Sequence, residues 1–213
     1  MPRKNCPEWI YAAVILMAAV MAMPIFAQSP TSAPKLPKGN YSLTIDGTAT
    51  LVGNWACVGN ANVRAIPDRS LETVPGLGTG VRKVTVTTSV SAIDCGDSTM
   101  NKHLRNALRD TKYPEIRYKA LKYTLVDNGA AVQTSGELTI AGTTKPVKLG
   151  AKLIALPDGG TRVVGKVKIN MRDYGVEPPT LFFGTLKVAG VVTVKFDSVV
   201  KLSQEVTQDL SPK

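Results

Sequence analysis

Apolar and polar positions alternate with period two along most of this chain. In GELTIAGTTKPVKLGAKL, residues 136–153, Leu138 and Ile140 alternate with Glu137 and Thr139. Val147, Leu149, Ala151 and Leu153 then alternate with Lys148, Gly150 and Lys152. The intervening AGTTKP carries turn chemistry, so the stretch predicts a β-hairpin with one apolar face. The same period runs through Tyr41, Leu43 and Ile45, and loosely on through Leu51, Trp55 and Cys57. A short strand is expected near Asn62 to Ile66, and residues 67–80, with two prolines and three glycines, read as a loop. Further apolar faces are Val84, Val86, Val90 and Ala92, then Val163, Gly165, Val167 and Ile169. In the segment 115–126, Ile116, Tyr118 and Ala120 share one phase and Leu121, Tyr123 and Leu125 the other. That slip predicts a β-bulge or a strong bend between residues 120 and 121. Residues 186–202 place Val188, Gly190, Val192, Val194, Phe196, Val200 and Leu202 on one face. A strand of that length must curve or break, and Gly190 is the natural place.

One segment has helical rather than strand period. In DSTMNKHLRNALRD, residues 97–110, Met100, Leu104, Ala107 and Leu108 fall on one helical face. Asp97 or Ser98 is placed to cap its free amides, and Pro114 stops the helix from continuing. About eight strands, mostly antiparallel, with one short amphipathic helix predict an all-β fold that closes into a barrel, since closure removes exposed sheet edges. A barrel of that size is either filled by its side chains or holds a small ligand. The inward faces are mainly Val, Ala, Gly, Leu and Ile, with Tyr118 and Phe196 the main large side chains. Small side chains fill a barrel poorly, which tilts the reading toward a guest.

Composition adds compartment. Residues 1–27 open with Arg3 and Lys4, continue through the apolar IYAAVILMAAVMAMPIFA, and end at Ala27. This is the pattern of a secretory signal peptide cleaved near Ala27, with an uncleaved anchor as the alternative. A periplasmic or secreted protein is therefore expected. Residues 28–40 read as a Pro/Ser-rich linker, 41–202 as the barrel domain and 203–213 as a tail. The whole chain carries a net charge of +10, and the part after residue 27 carries +9 (24 basic against 15 acidic side chains). These bases are spread as the outward members of the alternations, without interleaved aromatics, which argues against a nucleic-acid partner. They leave room for weak attraction to an anionic membrane surface. Cys57 and Cys95 remain after cleavage; outside the cytosol an even pair favours a disulfide, the alternative being two buried free thiols.

Candidate chemistry is sparse. The single histidine, His103, is read on the polar side of the helix with no orienting carboxylate. Asp94 and Asp97 around Cys95 and Gly96 read as turn and cap residues rather than a cation loop. No metal site, cofactor or catalytic constellation is expected. MRDYGVEPPTLFFG, residues 171–184, holds Phe182 and Phe183 and reads either as a loop folded onto the core or as an apolar lip at a cavity mouth.

Four motifs in order resemble the YceI-like family of exported lipocalin-like proteins. SAIDCGDSTMNKHLRNAL followed by KYPEIRYKA is similar to that family's strand, "DAHLR"-like helix and "YPTI-F" strand. GELTIAGTTKPVKL resembles "GDLTI-GVTKPV-L", and INMRDYGV resembles "INRSDFGV". The likeness covers about residues 41–202. It departs at the N-terminal part, where LVGNWACVG replaces the usual "IDPAHS-V-F-V-H". Trp55 and Cys57, with Cys95, look like a subgroup with a WxC motif, which supports pairing the two cysteines.

The resemblance implies an extended eight-stranded antiparallel barrel whose long tunnel binds a polyisoprenoid or another amphiphile, a periplasmic location, and often a homodimer. Candidate ligand-binding residues are then Val86, Ile116, Tyr118, Leu138, Ile140, Leu149, Val167, Ile169, Val194 and Phe196 on the wall, with Phe182 and Phe183 at the lip. Periodicity alone does not separate these from ordinary core. The expected function is a non-catalytic exported carrier or sequestering protein for an isoprenoid or fatty amphiphile. The alternative is a structural or stress-protective envelope protein with a filled barrel acting through its basic surface. An enzyme on the same frame would show itself by a carboxylate, or Tyr118, in a pocket with a strongly shifted pKa.

Overall fold

A computed structural model of the chain describes residues 42–181 and 185–202. The expected signal peptide, linker and tail, and Phe182 and Phe183, lie outside the described residues. In chain order the strands are β1 (Leu43–Ala49), β2 (Gly53–Gly59), β3 (Asn62–Asp68), β4 (Gly80–Ser89), β5 (Glu115–Val126), β6 (Ala131–Ile140), β7 (Thr143–Ala155), β8 (Thr161–Asn170), β9 (Thr180–Leu181), β10 (Leu186–Lys187) and β11 (Val191–Val200). The helix α1 spans Ser98–Leu108, between β4 and β5.

Nine strands form one antiparallel sheet in the order β2-β1-β11-β8-β7-β6-β5-β4-β3. The expectation was eight; the extra strand arises because the phase read as continuing from Tyr41 through Cys57 is broken by the β1–β2 turn into two paired strands. Residues 53–68 run on as one extended stretch, broken at Asn60 and Ala61. The first half pairs with β1 and the second with β4. Because the two ends of the sheet are halves of one stretch, the sheet curls back on itself. The seam is joined further by mutual backbone bonds between Val58 and Asp94, 2.8 Å in each direction. Next to that bridge Cys57 and Cys95 form a disulfide, both buried. Ile93 packs against it, with Met100 and Leu104 of α1.

The two ends are closed differently. At one end α1 lies across the opening, capped by Asp97, whose carboxylate accepts from the Met100 amide. Ala107 and Leu108 pack on a buried cluster of Ala141, Ile169, Tyr174, Val176 and Val192. Arg109 fastens the helix end by donating to the Ala141 carbonyl at 2.9 Å. At the other end the loop between β3 and β4 folds inward. Its Val74 is buried with Val81 and Leu153, and the Thr161 hydroxyl donates to the Pro75 carbonyl.

Several expectations are corrected in detail. The turn of the 136–153 hairpin is two residues, Ala141 and Gly142, both at positive φ (48° and 81°), and TTKP belongs to β7. This is the tight connection whose twist suits a hairpin. Leu51 does not continue an inward phase; it sits in the β1–β2 turn at φ 71° and is 79% exposed. Ala92 is exposed because the chain leaves the strand in a 3-10 turn at Val90–Ala92. The long final strand does break before Val191. The bulge in β5 is present: Ala120 pairs with Gly136 and Lys122 with Ser135, leaving Leu121 without a partner.

Candidate functional site

Inside the curled sheet is a lumen of about 840 Å³. Its existence follows from how the sequence treats its large rings. Gly47 stands directly across from Trp55, Gly165 across from Phe196, and Tyr118 lies over Gly136. A Cβ built on these glycines would come within 2.2, 2.3 and 2.7 Å of the respective rings. The rings therefore lie flat along the wall where a side chain is missing, instead of crossing the interior. Most of the remaining inward positions on the strands are aliphatic.

All ten wall candidates face this lumen. They are Val86 on β4, Ile116 and Tyr118 on β5, Leu138 and Ile140 on β6, Leu149 on β7, Val167 and Ile169 on β8, and Val194 and Phe196 on β11. The period-two alternation along each strand is sufficient to orient them. The lip candidates Phe182 and Phe183 are outside the described residues, but their neighbours Pro179 and Leu186 line the lumen.

Other lining residues escaped the sequence reading. Val63 and Ala65 of β3, and Val74 and Leu77 of the following loop, complete the end away from the helix. The loop residues have no period to betray them. His103 is a correction: it lines the lumen and is not on the helix's solvent face. It stands three residues after Met100 and four before Ala107, which puts it on the same helical stripe.

Among the polar groups inside, Tyr118 and Thr134 are paired with each other, while the buried Trp55 Nε1 has no hydrogen-bond partner. The Tyr118 hydroxyl is 2.7 Å from the Thr134 hydroxyl, which also approaches the Leu149 carbonyl at 3.4 Å. Burial pushes the Tyr118 phenol above its usual range, against a smaller opposing effect of the Thr134 bond. The phenol is thus held neutral, the reverse of what an activated general base or nucleophile requires. Among the described residues, no group of three or more His, Cys, Asp or Glu is gathered to hold a metal. Asp94 and Asp97 serve as turn and cap residues. Asp94 accepts from Gly96 N and Asn101 Nδ2, both at 2.9 Å, while Asn101 Oδ1 accepts from Cys95 N at 2.7 Å.

The charged lining residues are Glu72, Arg82, Lys83 and Lys122. Arg82, Lys83 and Lys122 lie where β4 and β5 part, beyond the Val84–Ala120 pair, and Glu72 is in the loop between β3 and β4. An apolar tube with a charged break in its side suits a molecule with a long apolar part and a polar end.

A curled antiparallel sheet around an apolar lumen, with one short helix over an end, defines an all-β barrel of the lipocalin-like kind. Residues 43–200 match the YceI-like domain, and the chain belongs to that family. It is 35% identical over 102 residues to Protein YceI of Shigella flexneri and 34% identical over 102 residues to its counterpart in Escherichia coli O157:H7. Each match covers 45% of this chain and 52% of the relative, so the chain spans about half the length of these curated relatives. Among solved structures, Burkholderia cenocepacia BcnA shares the fold with a TM-score of 0.58 at 15% identity, over 74% of this chain and 96% of that one. A polyisoprenoid binding domain from Saccharophagus degradans, implicated in plant cell wall breakdown, does so with a TM-score of 0.54 at 13% identity, over 74% and 93%.

Proposed function

We propose that this protein is exported and holds the apolar chain of a polyisoprenoid or similar amphiphilic lipid in its lumen, as a carrier or sequestering protein without catalysis. The observation that carries the reading is the lumen itself. About 840 Å³ lies in the upper part of the range typical of small-ligand sites, about 300–1,000 Å³. Its walls are aliphatic, and the central hydroxyls are bonded to each other. A chain entering it leaves water at a gain of roughly 25 cal/mol per Å² of apolar surface buried. The filled-barrel alternative has no support from an interior of this size. Family membership, and the shared fold with a polyisoprenoid binding domain, agree with a lipid-type ligand. Export rests on the signal-like composition of residues 1–27.

Native mass spectrometry of the protein purified from its own envelope, followed by solvent extraction, tests the reading. A discrete added mass that extracts as an isoprenoid or fatty chain is expected. A clean apo mass, with no uptake of added quinone or fatty acid, would overturn it.

A further inference from the structure

In an intact barrel wall only every second residue of a strand faces inward, because side chains alternate across the sheet. Most of this wall obeys that rule: β8 contributes Val163, Val167 and Ile169, and β11 contributes Val192, Val194, Phe196, Ser198 and Val200. Two segments break it. On β4 the consecutive residues Val81, Arg82, Lys83 and Val84 all border the lumen, and on β5 so do Ala120 through Thr124. Consecutive lining residues mean that the cavity reaches past the edge of the strand and through the wall.

The pairing pattern explains the breach. β4 pairs with β5 only from Val84↔Ala120 to Ser89↔Glu115. Beyond that point β4 goes on pairing with β3 down to Gly80, and β5 goes on pairing with β6 up to Val126. The two strands diverge at the Leu121 bulge and leave a slot between residues 80–83 and 121–126. Tyr123 props it: its hydroxyl donates to the Glu72 carbonyl at 2.6 Å and accepts from the Val81 amide at 3.3 Å. A second gap, where β7 and β8 pair only over Ala151–Ala155, is a useful contrast. There the buried Tyr174 and Val176 pack in, and the lining residues still alternate.

The rim of the slot is amphipathic. Leu121 and Leu71, both bordering the lumen, are 62% and 41% exposed and give the rim an apolar part. Around them stand Arg82, Lys83 and Lys122, all exposed, with Glu72 as the carboxylate among the lining residues and Asp68 close by at the end of β3. Arg82 is near enough to Asp68 to feel its charge. Lys83 and Lys122 have no ion-pair partner among the described residues.

We propose that the β4–β5 slot is a lateral portal through which the tail of the amphiphile enters the lumen, and that Arg82, Lys83 and Lys122 hold an anionic, phosphate-type headgroup at its rim. This rests on the lumen being a lipid site and adds the chemical class of the headgroup. Cations at a half-exposed rim attract a phosphate group without having to be desolvated, and they leave the tail free to lie along the apolar wall.

The test uses the full mature chain, with geranylgeranyl phosphate and the neutral alcohol geranylgeraniol as probes, each displacing a lumen-bound fluorophore. The phosphate ester is expected to bind about tenfold more tightly than the alcohol at low salt. In the double variant K83E/K122E that preference should vanish. Inorganic phosphate at millimolar concentration should displace neither probe, since without a tail it has only exposed cations to hold it. Equal affinity for ester and alcohol in the unmodified protein would overturn the headgroup assignment while sparing the lipid reading. Failure of both probes to bind would remove both. Loss of binding to phosphatidylglycerol vesicles in K83E/K122E, with the ester preference intact, would assign the rim to a membrane surface instead. The portal has its own test. Deleting Leu121 keeps the β5–β6 register and every inward phase but removes the bulge, so β4 and β5 can zip together. Uptake of geranylgeraniol should then slow at least tenfold with the fold retained by circular dichroism, and an unchanged uptake rate in a folded variant would overturn the portal.

Discussion

At the residue scale, the lumen depends on glycines that accept rings. Phe196 lies on Gly165, and a Cβ there would also meet the Gly150 carbonyl oxygen at 2.7 Å, which is backbone and does not yield easily. Gly165→Val should therefore cost about 1–3 kcal/mol in a denaturant titration and drive the Phe196 ring into the lumen. A variant of unchanged midpoint would show that the ring is not seated on the glycine. Gly142 is a different case. It combines φ of 81° with Tyr113 ring atoms 2.4 Å from its missing Cβ, so the turn needs glycine for conformation and for space together. The Arg109 and Lys112 cationic groups also stand 5.1 and 5.3 Å from the centre of that ring, holding it over the turn.

At the element scale, the seam between β2 and the segment leading into α1 carries the disulfide and the Asp94–Asn101 network. Cys57 and Cys95 close a loop of 38 residues, worth roughly 3–4 kcal/mol in the chain-entropy account. A Cys57→Ser/Cys95→Ser variant should lose about that much stability, and reductant should shift the midpoint of the unmodified protein but leave the variant alone. Asp94 ties this seam to the start of α1, and the Asn101 bond, followed by the Gly96 amide, holds its carboxyl below the usual value of 3.8. A lowered folded-state pKa means that its contribution is complete above about pH 4 and is lost as pH falls through the folded value. Asp197 behaves alike, held low by its bond to Arg162, as does Asp158 beside Lys201. Thermal midpoints should thus be flat near neutrality and fall below about pH 4. Asp94→Asn should lower the midpoint at pH 7 and shallow the acid slope; an unaltered slope would mean that Asp94 contributes nothing to it.

At the scale of the whole molecule, the question is whether the interior is a store of empty volume or a packed core. Ile140 faces the lumen from the end of β6. An indole placed there has a void to enter, so Ile140→Trp should stay within about 1 kcal/mol of the parent in stability, whereas overpacking a filled core costs more. Uptake of an added isoprenoid should nevertheless be abolished. Unchanged uptake would take Ile140 out of the binding wall, and a severe loss of stability would mean that the site is packed rather than open.

The sequence by itself determined the local matters: which positions alternate along most strands, where the helix lies, and that the strand phase slips at Leu121, while the choice of Asp97 over Ser98 as cap was left to the structure. Each of these depends on residues a few positions apart, and short-range periodicity reports them faithfully. The ten wall positions were legible for the same reason, since inward and outward are set by period two once a strand is known. The tertiary structure decided what joins distant segments. It split residues 53–68 between two partners to close the sheet, joined Cys57 to Cys95 across the seam, and brought His103 and the 69–79 loop to the lumen. It also turned the slip at Leu121 from a local irregularity into a breach in the wall, because a bulge opens a slot only if the strand on its other side fails to follow. Whether β4 follows is a matter of its pairing with β3 and of Tyr123 reaching Val81 and Glu72, contacts that no period in the chain encodes.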